Sequence, residues 1–334
     1  MLKLGIIGYG YWGPNLVRNF HNHPDCQVKY VADLKTNRLD QLSRTYPQIE
    51  ITNDYKAILS DPSVDAVVIA VPVFLHYKIA KEALKSGKHV LVEKPMTMSV
   101  AEADELIAVS NQVGKVLMVD HTFLYTAAVQ KIKAIIDKGE IGELNYFDSV
   151  RINLGLFQPD INVLWDLAPH DISILDYLLA EMPMSIQATG ISHTSNKLEN
   201  IAYLTVNYQS NFIAHFSCSW TSPVKIRKIL IGGSKKMIVF DDVEPTEKVK
   251  IYDTGYLHKE DEDMHNILVD YRIGDVYIPK VENKEALNGV VTDFISAITE
   301  NTKPIANAES GLRVVKLLEA ASLSLKQNGK EIKL

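Results

Sequence analysis

The chain opens with an apolar run, Leu2 to Ile7, that leads directly into Gly8-Tyr9-Gly10-Tyr11-Trp12-Gly13 and then a helical stretch from Asn15 to about His21. A strand, a G-x-G-x-x-G turn and a helix in immediate succession restrict the fold more tightly than anything else in the sequence. The first glycine permits the tight turn, the second lets the backbone approach a pyrophosphate, and the third lets the helix pack on the strand. The diphosphate of a dinucleotide then sits at the helix N-terminus, where unpaired backbone N–H groups point. Pro14 loses nothing there by lacking a donor. Tyr11 and Trp12 join Gly8, Gly10 and Gly13 as candidate cofactor contacts.

The next strand, Gln27 to Ala32, ends at Asp33, twenty residues after Gly13. An acid at that position hydrogen-bonds the adenosine ribose. Its charge repels a 2′-phosphate, so NAD is expected over NADP, with Lys35 and Arg38 near enough to soften the preference. Helix 36–46, strand 49–52 and a helix capped by Asp54 follow. A buried strand at 66–70 runs into Val71-Pro72-Val73-Phe74-Leu75-His76 and a helix to Lys85. Val71, Pro72 and His76 are candidate cofactor neighbours, although His76 also reads as a core or capping histidine.

Strand 89–92 ends at Glu93-Lys94-Pro95. In an open parallel sheet, ligands bind beyond the carboxyl ends of the strands, so Lys94 is expected to face that crevice and Glu93 to border the cofactor. Pro95 biases Lys94 toward an extended backbone. Helix 99–113 and strand 116–119 complete a six-stranded, doubly wound dinucleotide-binding domain over residues 1–120.

The 334 residues are enough for a second domain with its own core. Its strands are predicted at 145–154, 184–194, 201–208, 212–220, 226–232 and 236–240. Helix 126–137 precedes them, and helices 285–300 and 309–327 end the fold. The charged run Lys259 to Asp263 reads as a solvated loop. Alternation through Tyr203, Thr205 and Asn207 leaves one sheet face only partly polar, suited to a second subunit.

A net charge of −6 argues against nucleic acid or an anionic membrane as partner. No apolar segment reaches membrane-spanning length, and Met1 leads straight into a strand with no signal peptide. Two cysteines, Cys26 and Cys218, suit a reducing, cytoplasmic setting. The histidines show no metal-ligand spacing, so no metal is expected.

Ordered motifs now carry a resemblance. The initial G-x-G-x-x-G, V-P-V-F-L-H at 71–76, A-L-K-S-G-K-H-V-L-V-E-K-P at 83–95 and L-W-D-L-A-P-H at 164–170 resemble the glucose–fructose oxidoreductase/inositol dehydrogenase family nearly end to end. The resemblance implies an NAD(P)-dependent oxidoreductase acting on a secondary alcohol of a sugar or polyol. A nucleotide-linked sugar of surface-polysaccharide synthesis is the first expectation. A free-sugar or polyol dehydrogenase, or a non-catalytic NAD-binding regulator, is the alternative. The resemblance also implies that the second domain spans 121–334 as an α+β unit built on a large, mostly antiparallel open sheet. Family members commonly pair through that sheet, so a homodimer or homotetramer is expected. Phe123-Leu124-Tyr125 stands where many members carry an arginine.

Hydride transfer from a carbinol needs the carbon held against a nicotinamide, a group to move the hydroxyl proton, and stabilisation of charge on oxygen. Lys94 suits the last task and His170 the proton, since imidazole titrates near neutrality. Asp166, four residues earlier, shares a helix face with His170 if the segment is helical. The resemblance implies the same set: Lys94 from E-K-P, with Asp166 and His170 from D-x-x-x-H. Asp166 also reads as a helix N-cap, and Asp171 is expected to face elsewhere. Arg151, Arg227 and Lys228 are candidate partners for a substrate diphosphate.

Overall fold

Strand β1 (Leu2–Ile7) forms from a run of branched and apolar residues that is buried almost throughout. It is followed by α1 (Gly13–His21), β2 (Cys26–Ala32), α2 (Thr36–Thr45), β3 (Glu50–Thr52), α3 (Tyr55–Ser60), β4 (Ala66–Ile69), α4 (His76–Lys85), β5 (His89–Glu93), α5 (Val100–Val113) and β6 (Leu117–Asp120). These coordinates come from a computed structural model that describes residues 1–155, 157–158, 160–259 and 268–334. The six strands pair in parallel in the order β3-β2-β1-β4-β5-β6. Strand order reverses between β1 and β4, which opens a crevice at the carboxyl ends of the strands. Helix α5 shows why these boundaries fall where they do. Ser99 accepts from the Glu102 N–H, the Glu102 carboxylate accepts from Met98 N–H, and Gly114 closes the far end at φ +62°.

The chain continues with α6 (Ala127–Asp137), β7 (Leu144–Leu154), α7 (Val163–Leu178), β8 (Pro183–Ile191), β9 (Ile201–Tyr208), β10 (Ile213–Ser219), β11 (Thr221–Gly233), β12 (Met237–Asp241), β13 (Val249–Tyr252), β14 (Gly255–Lys259), β15 (Leu268–Arg272) and β16 (Val276–Tyr277). Helices α8 (Ala286–Thr299) and α9 (Ala308–Lys326) and the short β17 (Ile332–Lys333) end it. Among the described residues, nine strands form one sheet in the order β16-β13-β12-β11-β7-β10-β9-β8-β17. Every pairing is antiparallel except β7 with β10. Ala202, Leu204 and Val206 on β9 and Ala214, Phe216 and Cys218 on β10 are buried, while Tyr203, Thr205, His215 and Ser217 between them are partly exposed. The period-two alternation expected of a sheet with one covered face is therefore present.

Strand β11 begins earlier than its apolar pattern suggests. Thr221 pairs with Leu154 and Ile226 with Ile152, so residues 222–225 bulge out of the ladder around Pro223, which has no N–H to give. Of the charged run Lys259 to Asp263, Lys259 ends β14 and the rest lies outside the described residues.

The chain divides into two compact units, residues 1–126 with 284–319 and residues 127–283 with 320–334. This differs from a single cut after residue 120, because residues 284–319 fold with the first unit. Phe294 of α8 meets Phe20 of α1 edge-on, with ring centroids 6.3 Å apart. Glu285 pairs with Arg18 at 2.6 Å and accepts from Asn19. The Tyr125 hydroxyl donates to Asp293 at 2.6 Å. The edge strand β6 gains a partner too, since Val119 N–H donates to Ala306 O at 3.0 Å. Hydrophobic periodicity placed α8 correctly but could not say which sheet it covers. Cys26 and Cys218, one in each unit, are free and buried, and burial pushes the Cys26 thiol up to about 12.

Candidate active site

The glycine-rich turn meets the steric demands read from its sequence. Gly8 has φ +102°, and a Cβ there would lie 2.3 Å from Ala70 O. At Gly13 a Cβ would press on Gly8 O at 3.0 Å. At Gly10 the nearest atom to a Cβ is Arg38 Nη1, 3.7 Å away, so the space above the turn is open. An open glycine at the head of a helix is the cradle a diphosphate requires, and these residues fit a dinucleotide. Tyr11 is exposed beside it.

Asp33 follows β2 and accepts hydrogen bonds from Tyr9 N–H at 2.7 Å and Lys35 N–H at 2.8 Å. Arg38 Nη1 stands 3.6 Å from the same carboxylate. Asp33 therefore ties the glycine turn to the end of β2, and Arg38 brings a cation there.

At the ends of β5 and β6, Glu93 and Asp120 are register partners. Burial, reinforced by Asp120, raises the Glu93 carboxyl well above the usual range, and burial raises Asp120 as well. Asp120 accepts from Thr122 Oγ1 at 2.6 Å and from Trp12 Nε1 at 3.4 Å. The donors on Asp120 oppose the rise there, and no such donor is added at Glu93 Oε1, which has no hydrogen-bond partner. Trp12 thus links the glycine turn to β6, while Lys94 follows Glu93, half-buried and joined to Pro95 by a cis peptide bond.

His76 does not offer a free ring nitrogen to a cofactor. Nδ1 lies 2.9 Å from Pro95 O and Nε2 lies 2.8 Å from Val71 O, and burial lowers its pKa. Its part is to clip the strand end at Val71-Pro72 to the turn at Lys94-Pro95. The sequence cannot separate this role from a direct contact.

In the second unit, α7 is capped by Asn162, whose Oδ1 accepts from Trp165 N–H at 3.2 Å. Asp166 is therefore inside the helix and not its cap. It stands one turn before His170, on the same face and with Pro169 between them. Trp220 Nε1 donates to Asp166 Oδ2 at 3.0 Å. Asp171 faces away, as expected, and is held by Arg151 through bonds of 2.9 and 2.6 Å and by Ser149 Oγ at 2.6 Å. Arg151 is thereby withdrawn from substrate binding, since it is 3% exposed and bonded through Nε and Nη2 to Asp171. Arg227 and Lys228 pair with Asp242 and Asp241. Sequence reasoning missed Asp120, His121, Trp220 and the Arg151–Asp171 pair. Only Asp120 and His121 carried a signal, their position after a predicted strand.

Residues 2–121 match an oxidoreductase family described by its NAD-binding Rossmann fold, and residues 129–239 match the GFO/IDH/MocA C-terminal domain. The chain belongs to the Gfo/Idh/MocA family of oxidoreductases. Among curated Gfo/Idh/MocA relatives, the scyllo-inositol 2-dehydrogenase (NADP(+)) IolW of Bacillus subtilis is 24% identical over 98% of this chain and 94% of its own. The UDP-N-acetylglucosamine 3-dehydrogenase of Acidithiobacillus ferrooxidans is 25% identical over 94% of each chain. A solved structure of that enzyme, GnnA, superposes with a TM-score of 0.81 at 23% identity, covering 98% of both chains. Membership makes this protein an NAD(P)-dependent oxidoreductase. No helix among its described residues is long and apolar enough to cross a membrane.

Proposed function

We propose that this protein oxidises a secondary alcohol of a nucleotide-linked sugar, or reduces the corresponding ketone, with NAD as its preferred cofactor. The arrangement that carries this assignment is Asp166 and His170 one turn apart on α7, with Asp166 held by the Trp220 indole. A histidine beside an oriented carboxylate is an acid–base pair, which a protein that only sensed NAD would not need. The UDP-N-acetylglucosamine 3-dehydrogenase relative supports the nucleotide-linked class.

A nicotinamide held beside Lys94 would supply the hydride acceptor for oxidation and the hydride donor for reduction. The protein does the rest. Lys94 donates a hydrogen bond to the carbinol oxygen and stabilises the charge that grows there. His170 takes the hydroxyl proton during oxidation and returns it during reduction, while Asp166 orients the imidazole. Asp33 receives the adenosine ribose hydroxyls, and the Gly8–Gly13 turn receives the diphosphate. The partly polar outer face of the nine-stranded sheet, with Tyr203 and Ile213 each 47% exposed, pairs with a second subunit to give a dimer or tetramer.

The deciding experiment follows NADH absorbance over a panel of nucleotide-linked sugars, free sugars and inositols. Turnover of a nucleotide-linked sugar is expected, and His170→Ala should lose about 10²–10⁴-fold of it while NAD affinity holds. Cofactor binding without turnover of any panel member would reject the enzyme, and turnover of inositols alone would reject the substrate class.

A further inference from the structure

Strands β5 and β6 run in register from Val90 opposite Leu117 to Glu93 opposite Asp120. One step further, at the carboxyl ends where this sheet opens its crevice, come Lys94 and His121. The His121 backbone is fixed on both sides, with its N–H on Val119 O at 2.8 Å and its carbonyl accepting from Leu124 N–H at 3.0 Å. Its side chain is 1% exposed, yet neither ring nitrogen has a hydrogen-bond partner. The contrast with His76 is direct, because that equally buried ring has a carbonyl within 2.9 Å of each nitrogen. Buried polar groups without partners are rare in folded proteins and call for a specific explanation.

Burial, with the Lys94 charge added to it, pulls the His121 pKa down to about 3. The imidazole is therefore neutral, with one N–H to donate and one nitrogen to accept. A hydroxyl group, itself one donor and an acceptor, is its complement. Trp12, reaching from the glycine turn to Asp120 at 3.4 Å, borders the same strand end, so a molecule lying across the turn passes this position.

We propose that His121 is a ligand-contacting residue whose imidazole hydrogen-bonds a hydroxyl of the molecule bound beside Lys94. That hydroxyl belongs either to the ribose on the nicotinamide side of the cofactor or to the reacting carbon of the substrate. The inference rests on the proposed placement of a nicotinamide at Lys94.

His121→Leu removes both hydrogen-bonding atoms, and His121→Gln returns a donor and an acceptor. Calorimetry with NADH, with AMP as the control for the far half of the cofactor, reads the first source. The kcat/KM for the sugar found by the panel reads the second. His121→Leu should weaken NADH about five- to tenfold and leave AMP unchanged if the hydroxyl is the ribose's. It should lower kcat/KM by a similar factor at unchanged NADH affinity if the hydroxyl is the substrate's. His121→Gln should recover much of either loss, and the effect should be the same at pH 6 and pH 8 because the ring stays neutral. If both variants stay within twofold of the parent in NADH affinity and kcat/KM, the imidazole serves only the core and the proposal is overturned. A parent protein that binds no NADH would instead reject the nicotinamide site itself. Should His121→Leu fail to fold, His121→Phe, a ring that also lacks both hydrogen-bonding atoms, takes its place under the same criteria.

Discussion

The indole N–H of Trp220 donates to the Asp166 carboxylate across 3.0 Å, tying α7 to the junction between β10 and β11. The indole is buried, only 1% exposed. The Trp220 backbone N–H donates to Asn200 O, its carbonyl accepts from Gly155 N–H, and the Phe157 ring packs 5.6 Å from the indole. Asp166 is thus aimed by a buried side chain whose backbone is hydrogen-bonded on both sides.

Trp220→Phe removes that N–H and keeps a ring. Hydrogen bonds to charged groups are worth about 1.5–3 kcal/mol, so turnover should fall about ten- to a hundredfold while KM moves little. Combined with Asp166→Asn, the losses should be smaller than additive, because both changes break one unit. Steady-state kinetics of the four proteins provide the check, and strict additivity would count against the coupling.

Asp33 and Arg38 should pull cofactor choice in opposite directions. Asp33→Ala should weaken NADH about ten- to a hundredfold and narrow its advantage over NADPH. Arg38→Ala should widen that advantage, since it removes the cation nearest the adenosine end. Calorimetry on both variants decides, and a parent that prefers NADPH would reverse the assignment.

Breaking the buried Arg151–Asp171 pair from one side should destabilise the protein by about 3–5 kcal/mol, because a charge is left uncompensated. Arg151→Met should therefore lower the denaturant midpoint sharply. The double replacement Arg151→Met with Asp171→Leu should recover most of the loss. A double variant no more stable than the single one would show that the pair orders this region in a way apolar packing cannot replace.

The pH dependence of stability has a defined sign at two buried groups. His121 stays neutral in the fold down to about 3, whereas the unfolded chain takes up its proton below the ordinary histidine pKa of 6.5. Its contribution is complete above that value and is lost as pH falls, by about 1.4 kcal/mol per pH unit. His121→Gln should therefore gain on the parent by about 2–3 kcal/mol between pH 6.5 and 4.5. Glu93 has the opposite sign, because it keeps its proton when folded and loses it above 4.5 when unfolded. Glu93→Gln should gain on the parent as pH rises. Denaturant midpoints at several pH values test both, and parallel curves for parent and variant would refute the assigned protonation states.

Much of this was legible before any coordinates. Strands β1 and β9 fall on the residues their apolar patterns mark, and the glycine spacing identified the turn and its direction. Local rules failed where the deciding partner is remote in sequence. Arg151 reads as a candidate partner for a substrate diphosphate, but Asp171, from α7, pairs with it in the interior. Asp166 reads as a catalytic carboxylate or as a cap, because nothing in the chain points to Asn162 as the cap or to Trp220 as its partner. His76 was ambiguous because its partners are backbone carbonyls, which no side-chain pattern records.

The return of residues 284–319 to the first unit also bears on how the protein is made. When the ribosome has released residue 126, the nucleotide-binding unit still lacks the helix that covers Phe20 and the segment that closes the edge of β6. The missing pieces emerge only after all of residues 127–283 have been translated. At ~5–20 residues per second this is a wait on the order of ten seconds or more, with apolar surface on α1 uncovered throughout. The half of the molecule written first is therefore finished late, and the nascent chain is most open to chaperones and to misassembly during that interval.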